Sequence, residues 1–110
     1  TYLEKYQLAE KSFLNAFRIA NTQPEYWLEL GELYTFKIKD VNKAKLFYLE
    51  AISRSGEHVN VIQTYAGFLE NVVQDYSESI KYWQILVDKV DHNKGAFLKH
   101  IEELKLRINN

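Results

Sequence analysis

The chain has 110 residues, of which 46% are hydrophobic and 26% charged, and its formal net charge at pH 7 is −1. Such a composition belongs to one globular domain rather than a disordered segment, and the near-balance of charge removes the electrostatic footprint of a direct nucleic-acid binder. With 1 Pro, 4 Gly and no Cys, a turn-rich β-sandwich, a disulfide framework, a thiolate zinc site and a thiol nucleophile are all excluded.

The predicted elements are helices, because apolar residues recur at steps of three and four throughout. Tyr6, Ala9, Phe13, Ala16 and Ala20 form one face of a first helix. Asn21 to Glu25 reads as a stop followed by a start, with Thr22 and Glu25 in capping-box spacing and Pro24 in a first turn, where its missing N–H costs nothing. Trp27, Leu30, Gly31, Tyr34 and Ile38 mark a second helix, which Lys39-Asp40 interrupts. A third carries Val41, Ala44, Tyr48 and Ala51 and ends at Ser55-Gly56, a glycine stop. A fourth runs through Ile62, Tyr65, Ala66, Leu69 and Val73 to a break at Asp75. Tyr76, Ile80, Trp83, Leu86 and Val90 make a fifth, and Phe97, Ile101, Leu104 and Ile108 a sixth beyond Asp91-His92-Asn93. Such short connections imply antiparallel neighbours. No apolar run approaches the ~20 residues that a bilayer crossing needs, so membrane insertion is not expected. The cytoplasm is the expected compartment, although a lack of Cys does not by itself fix it.

The helices repeat. A shift of 35 takes Trp27, Leu30, Gly31 and Tyr34 to Ile62, Tyr65, Ala66 and Leu69, and takes Asp40, Ala44, Tyr48 and Ala51 to Asp75, Ser79, Trp83 and Leu86. The reverse shift from Val41, Ala44, Tyr48 and Ala51 gives Tyr6, Ala9, Phe13 and Ala16. Small residues return at small sites and large ones at large sites. Close helix approach demands this, since Gly31/Ala66 and Ala9/Ala44/Ser79 leave room where backbones cross.

Trp27-x-x-Leu30-Gly31-x-x-Tyr34, followed by Ala44-x-x-x-Tyr48 and Ala51, resembles the signature of the tetratricopeptide repeat family. The resemblance covers nearly the whole chain as one domain, 1–110: the second helix of an incomplete unit at 1–21, full units at 24–56 and 59–91, and a terminal helix at 94–109. It implies an all-α fold, a right-handed α-solenoid of antiparallel helix pairs with about six helices. There are two departures. The period is 35 rather than 34, which one extra residue in the turn before Asp40 and before Asp75 explains, and the usual unit-ending proline is replaced by Asn21, Gly56 and Asp91. Tyr65-Ala66-Gly67-Phe68-Leu69-Glu70 is also similar to the half-a-tetratricopeptide repeats of RNA-processing scaffolds. Pentatricopeptide repeats share the 35-residue period, but they are basic and lack the Trp-x-x-Leu-Gly-x-x-Tyr pattern.

No convergent set of titratable groups suggests catalysis, and no cofactor is expected. His58 and His92 lie in turns one unit apart, without the Cys or i, i+4 His that a metal pair would need, so they read as ordinary turn residues. His100, in the slot of Leu30 and Tyr65, reads as a partly buried, hydrogen-bonded helix residue. Lys37, Lys39, Lys43 and Lys45 gather around one turn near Phe36, Phe47 and Tyr48; a phosphate contact is conceivable, but aromatics that recur with the repeat are required by packing, and a solvated turn over core-facing rings is the expectation.

Functional expectations follow from the resemblance. In a solenoid the first helices of each pair line a concave surface, and the family pattern places Glu25, Leu28, Glu32, Thr35 and Phe36 there in one unit, and Asn60, Gln63, Gly67, Glu70 and Asn71 in the next. Leu98, Glu102 and Lys105 extend the row. Glu25, Leu28, Glu32, Phe36, Gln63, Glu70 and Asn71 are the candidate partner-binding residues of a non-catalytic interaction scaffold, whose partner would be a protein or peptide with basic and apolar side chains. The alternatives are a scaffold within an RNA-processing complex and a purely structural spacer. Gripping a chaperone's C-terminal carboxylate is disfavoured, because the matching slots hold Leu28, Glu32, Thr64, Gly95 and Lys99. The start at Thr1 suggests an excised or processed piece, and the first helix lacks its pair mate. Phe13 and Phe17 are then expected to meet upstream chain or a second copy, so that self-association is a further expectation.

Overall fold

The computed structural model describes residues 4, 5, 7, 8, 10–12 and 24–109. The chain is helical, with no strand among the described residues. Described positions between 4 and 12 are helical, while Tyr6, Ala9, Phe13, Ala16, Phe17, Ala20 and the Asn21-Thr22-Gln23 boundary lie outside the described residues. Downstream, α1 spans Pro24–Leu33, α2 Val41–Arg54, α3 Val59–Phe68, α4 Tyr76–Lys89 and α5 Lys94–Asn109. Two compact units divide at Gly56, one of Thr1–Gly56 and one of Glu57–Asn110.

The repeat is visible in the backbone. α1 and α3 each have 10 residues and α2 and α4 each have 14, and their starts are displaced by the 35 residues that the side-chain pattern gives. The extra residue of the period is not in the turn, where the sequence suggested it. It is absorbed within the helix: α1 and α3 each finish in a π-helical turn, Tyr34–Ile38 and Leu69–Val73. A π-turn closes i→i+5 bonds and so holds one residue more than an α-turn. Each then stops at a left-handed residue, Lys39 with φ 63° and Gln74 with φ 62°. The N–H groups of Lys39 and Asp40 both donate to the Tyr34 carbonyl, and those of Gln74 and Asp75 to that of Leu69. The aspartates start the next helices, Asp40 accepting from the Lys43 N–H at 3.2 Å and Asp75 from the Glu78 N–H at 3.1 Å. α5 begins in register at Lys94 but continues as α-helix for 16 residues without the π-turn.

Other boundaries follow from local chemistry. α1 begins at Pro24, a position that its fixed φ suits. Gly56 has φ +68° just past the end of α2, where Ser55 Oγ donates to the Ile52 carbonyl at 2.9 Å. α3 is capped by His58, whose Nδ1 accepts from the Asn60 N–H at 3.2 Å. That gives His58 a definite role in a turn.

Within the first unit, Trp27, Leu30, Gly31 and Tyr34 meet Ala44, Phe47, Tyr48 and Ala51 across α1 and α2, all buried. Phe47 lies 5.0 Å from Tyr34 and 6.1 Å from Trp27 between ring centroids, and such offset pairs add to plain area burial. Gly31 is flat against the Tyr48 ring: a Cβ there would stand 2.9 Å from ring carbons. In the second unit Ile62, Tyr65, Ala66 and Leu69 are buried with Ser79, Trp83 and Leu86, and α5 adds Ile101 and Leu104. Ser79 Oγ donates to the Ala66 carbonyl at 2.8 Å, so the small slot that holds Ala44 in one unit holds a satisfied hydroxyl in the other.

Burial holds the phenols of Tyr48, Tyr65 and Tyr82 above their ordinary value of 10.0; Glu32 adds to this at Tyr48 and Glu78 at Tyr65 and Tyr82. A group favoured as its neutral form in the native state ionises first in the unfolded chain. Stability from these tyrosines is therefore fully present below about pH 10 and lost as pH rises toward the folded-state values. Urea midpoints taken from pH 9 to 11 should fall across that window, and Tyr65→Phe should make the fall shallower. At Gly31, substitution by Leu should cost about 1–3 kcal/mol through overpacking on Tyr48. Gly67→Ala, inside α3 with nothing within 4 Å of its added Cβ, should instead stabilise by about 0.5–1 kcal/mol. Thermal melts of the two variants should shift in opposite directions.

Candidate functional site

The candidate binding residues separate by what their helices do with them. On α1 and its π-turn, Glu25 and Glu32 are exposed, Leu28 is half-buried and Phe36 is 64% exposed. Their spacing, with Glu29 between them, places Glu25, Glu32 and Phe36 along one stripe of the helix. Thr35 does not join them: it is buried, and its Oγ1 donates to the Gly31 carbonyl at 2.7 Å. Phe36 also departs from the expected ring of core-facing aromatics around the lysine-rich turn. Phe47 and Tyr48 are buried there, but Phe36 points outward, and it is the one exposed residue among the described phenylalanines. Of the nearby lysines, Lys43 is committed internally, 3.3 Å from the buried carboxylate of Glu10 and 5.5 Å above the Tyr34 ring. Glu10 also accepts from the Tyr34 hydroxyl.

In the second unit Asn60, Gln63 and Asn71 are exposed and Gly67 is half-buried. On α5, Leu98 is 46% exposed, and Glu102 pairs with Lys105 at 3.2 Å. Glu70 is the correction. Expected in the groove, it is 8% exposed and turned inward from the π-turn. Trp83 Nε1 donates to its Oε1 at 2.9 Å, and His100 Nε2 stands 2.8 and 3.0 Å from its two oxygens. An ionised carboxylate only accepts, so Nε2 carries the hydrogen. The other ring nitrogen, Nδ1, lies 3.8 Å from Glu103 Oε2. The imidazole meets the indole of Trp83 edge-on at 4.8 Å, with Phe97 on the same indole at 5.4 Å.

The repeat explains why Glu70 is inside. It occupies the slot of Thr35, and Trp83 that of Tyr48, and in both units the polar side chain of the first slot lies beside the aromatic of the second. Sequence reading placed His100 as a half-buried, bonded helix residue without finding its partner. The available signal was the polar side chain at both 35 and 70, facing an aromatic with a polar tip 13 residues on.

Among the described residues no three His, Asp or Glu side chains converge as a metal-binding group, and no helix is long and apolar enough to cross a membrane. Comparison with protein-family models, with curated proteins and with solved structures finds no match to this chain.

Removing the Glu70 carboxylate strands the indole N–H and leaves His100 facing a void. Glu70→Ala should therefore destabilise the protein by about 1–3 kcal/mol, whereas Gln63→Ala, on an exposed face of α3, should change it by less than about 0.5 kcal/mol. Urea denaturation of both variants checks the contrast.

Proposed function

We propose that the chain is a non-catalytic protein–protein interaction scaffold, a right-handed α-solenoid of tetratricopeptide type that holds a peptide or protein segment along its first helices. The observation that carries this reading is the division of labour on α1 and α3. The slots of Leu30/Tyr65, Gly31/Ala66 and Tyr34/Leu69 are spent on packing, while Glu25, Glu32, Phe36, Gln63 and Asn71 are left exposed in the same helices and their π-turns. The first unit thus offers two carboxylates and a large ring, and the second unit two amides. The carboxylates suit a partner with Lys or Arg, the ring an apolar side chain, and the amides a peptide backbone.

A library of peptides of mixed basic and apolar composition, screened against the immobilised chain, supplies ligands whose affinity can be measured by fluorescence anisotropy. Glu32→Ala, Phe36→Ala, Gln63→Ala and Asn71→Ala are exposed-site changes that leave the melting temperature in place. At least two of them should weaken the best peptide by about tenfold, which is the loss of about 1.4 kcal/mol. Wild-type affinity in all four variants would overturn the assignment.

A further inference from the structure

We propose that α1 is the selective element of the scaffold: its stripe of Glu25, Glu29 and Glu32 takes a helical segment with Lys or Arg at the matching spacing, and Phe36 seats an apolar side chain of that segment. The inference rests on the scaffold reading above and assigns its selectivity to the first unit. It starts from how the glutamates are matched. Every glutamate from Glu50 to Glu103 has a basic side chain 2.7–3.8 Å away, as at Glu50–Arg54, Glu57–Lys89 and Glu102–Lys105, and Glu10 has Lys43 at 3.3 Å. Glu25, Glu29 and Glu32 are exposed, and none of them has such a partner among the described residues.

The stripe does nothing for the fold. Glu25 and Glu29 are four apart and Glu29 and Glu32 three apart, spacings at which like charges face each other and weaken a helix. Glu25 lies in the first turn, where the helix dipole favours a carboxylate, but Glu29 and Glu32 lie beyond that help. Nor does the repeat ask for them. A shift of 35 turns Glu25, Glu29, Glu32 and Phe36 into Asn60, Thr64, Gly67 and Asn71, with no charge and no ring, while the packing slots keep their sizes.

Charge complementarity names the occupant. Basic side chains laid along the stripe cancel its repulsion as they pair with it. From Glu25 to Glu32 the helix advances about 10 Å, and a helical partner alongside advances at the same rate. Same-face side chains of an extended chain stand about 7 Å apart and run ahead of the carboxylates. Past Phe36 the sign reverses, because Lys37 and Lys39 are exposed there. The basic residues of the partner therefore belong on one side of its apolar anchor.

The probe is a labelled synthetic peptide, helical by its alanine and glutamine background, with lysines at steps of four and three and a leucine four residues after the last. Fluorescence anisotropy should show binding that weakens as salt rises. Glu29→Gln/Glu32→Gln should weaken it about tenfold and flatten the salt dependence, without lowering the melting temperature. Asp88→Asn, an exposed carboxylate on α4, should leave affinity within about twofold. Moving the leucine between the lysines, at the same composition, should also weaken binding. Glu29→Lys/Glu32→Lys should reject the lysine peptide and accept one with glutamates in its place. Equal binding of a peptide with glutamine for lysine, or a lower melting temperature for Glu29→Gln/Glu32→Gln, would overturn the assignment. If Gln63→Ala and Asn71→Ala weaken the peptide and the Glu29 and Glu32 variants do not, the scaffold reading stands and the selective role of α1 falls.

Discussion

Both helix pairs of this chain depend on how the first helix is ended. At Tyr34–Ile38 and again at Leu69–Val73 the helix widens into a π-turn, and a left-handed lysine or glutamine follows. An L-residue that is not glycine gives up roughly 1–2 kcal/mol in that conformation. Two N–H groups on one carbonyl and an aspartate cap on the next helix offset that cost. The result is a reversal that leaves two residues, Lys39-Asp40 or Gln74-Asp75, between helices. With so short a link, the second helix has nowhere to lie except against the first.

That constraint explains the residues that pack. Helices brought so close require a small side chain on one of them where a ring stands on the other. Gly31 under Tyr48 meets the requirement in one unit, and Ala66 with the Ser79 hydroxyl on its carbonyl meets it in the next. The polar atoms that are carried inside, on Thr35, Ser79, Glu70 and Glu10, each have a hydrogen-bonding partner. Desolvating such groups without partners would cost several kcal/mol in all. Packing thus consumes one face of each first helix, and the face that remains is where a partner is proposed to bind.

The second unit differs from the first by carrying α5 in the register of a first helix without the π-turn that ends α1 and α3. A polar clasp from His100 to Glu70 adds to the apolar contact that Ile101 and Leu104 make. The bonds from His100 to Glu70 are made at one register of α5 only.

Much of this was legible in the amino-acid sequence. Composition and the three-and-four spacing determined an all-helical chain, and the shift of 35 located helix starts at Pro24, Val41, Val59, Tyr76 and Lys94 to within a residue or two, because side-chain size at a close crossing is a local demand on sequence. The small slots and the large slots were readable for the same reason. Tertiary structure alone decided where the extra residue of the period went, since a π-turn and a longer loop have the same sequence length. It also decided the direction of two side chains. Glu70 reads as a solvated carboxylate until Trp83 and His100, 13 and 30 residues away, are brought to it. Phe36 reads both as a core-facing ring of the lysine-rich turn and as a surface residue for a partner, and its 64% exposure decides that it faces outward. Pattern reports which face a helical residue shares; only the packed neighbours determine whether a polar group on that face has something better than water to bind.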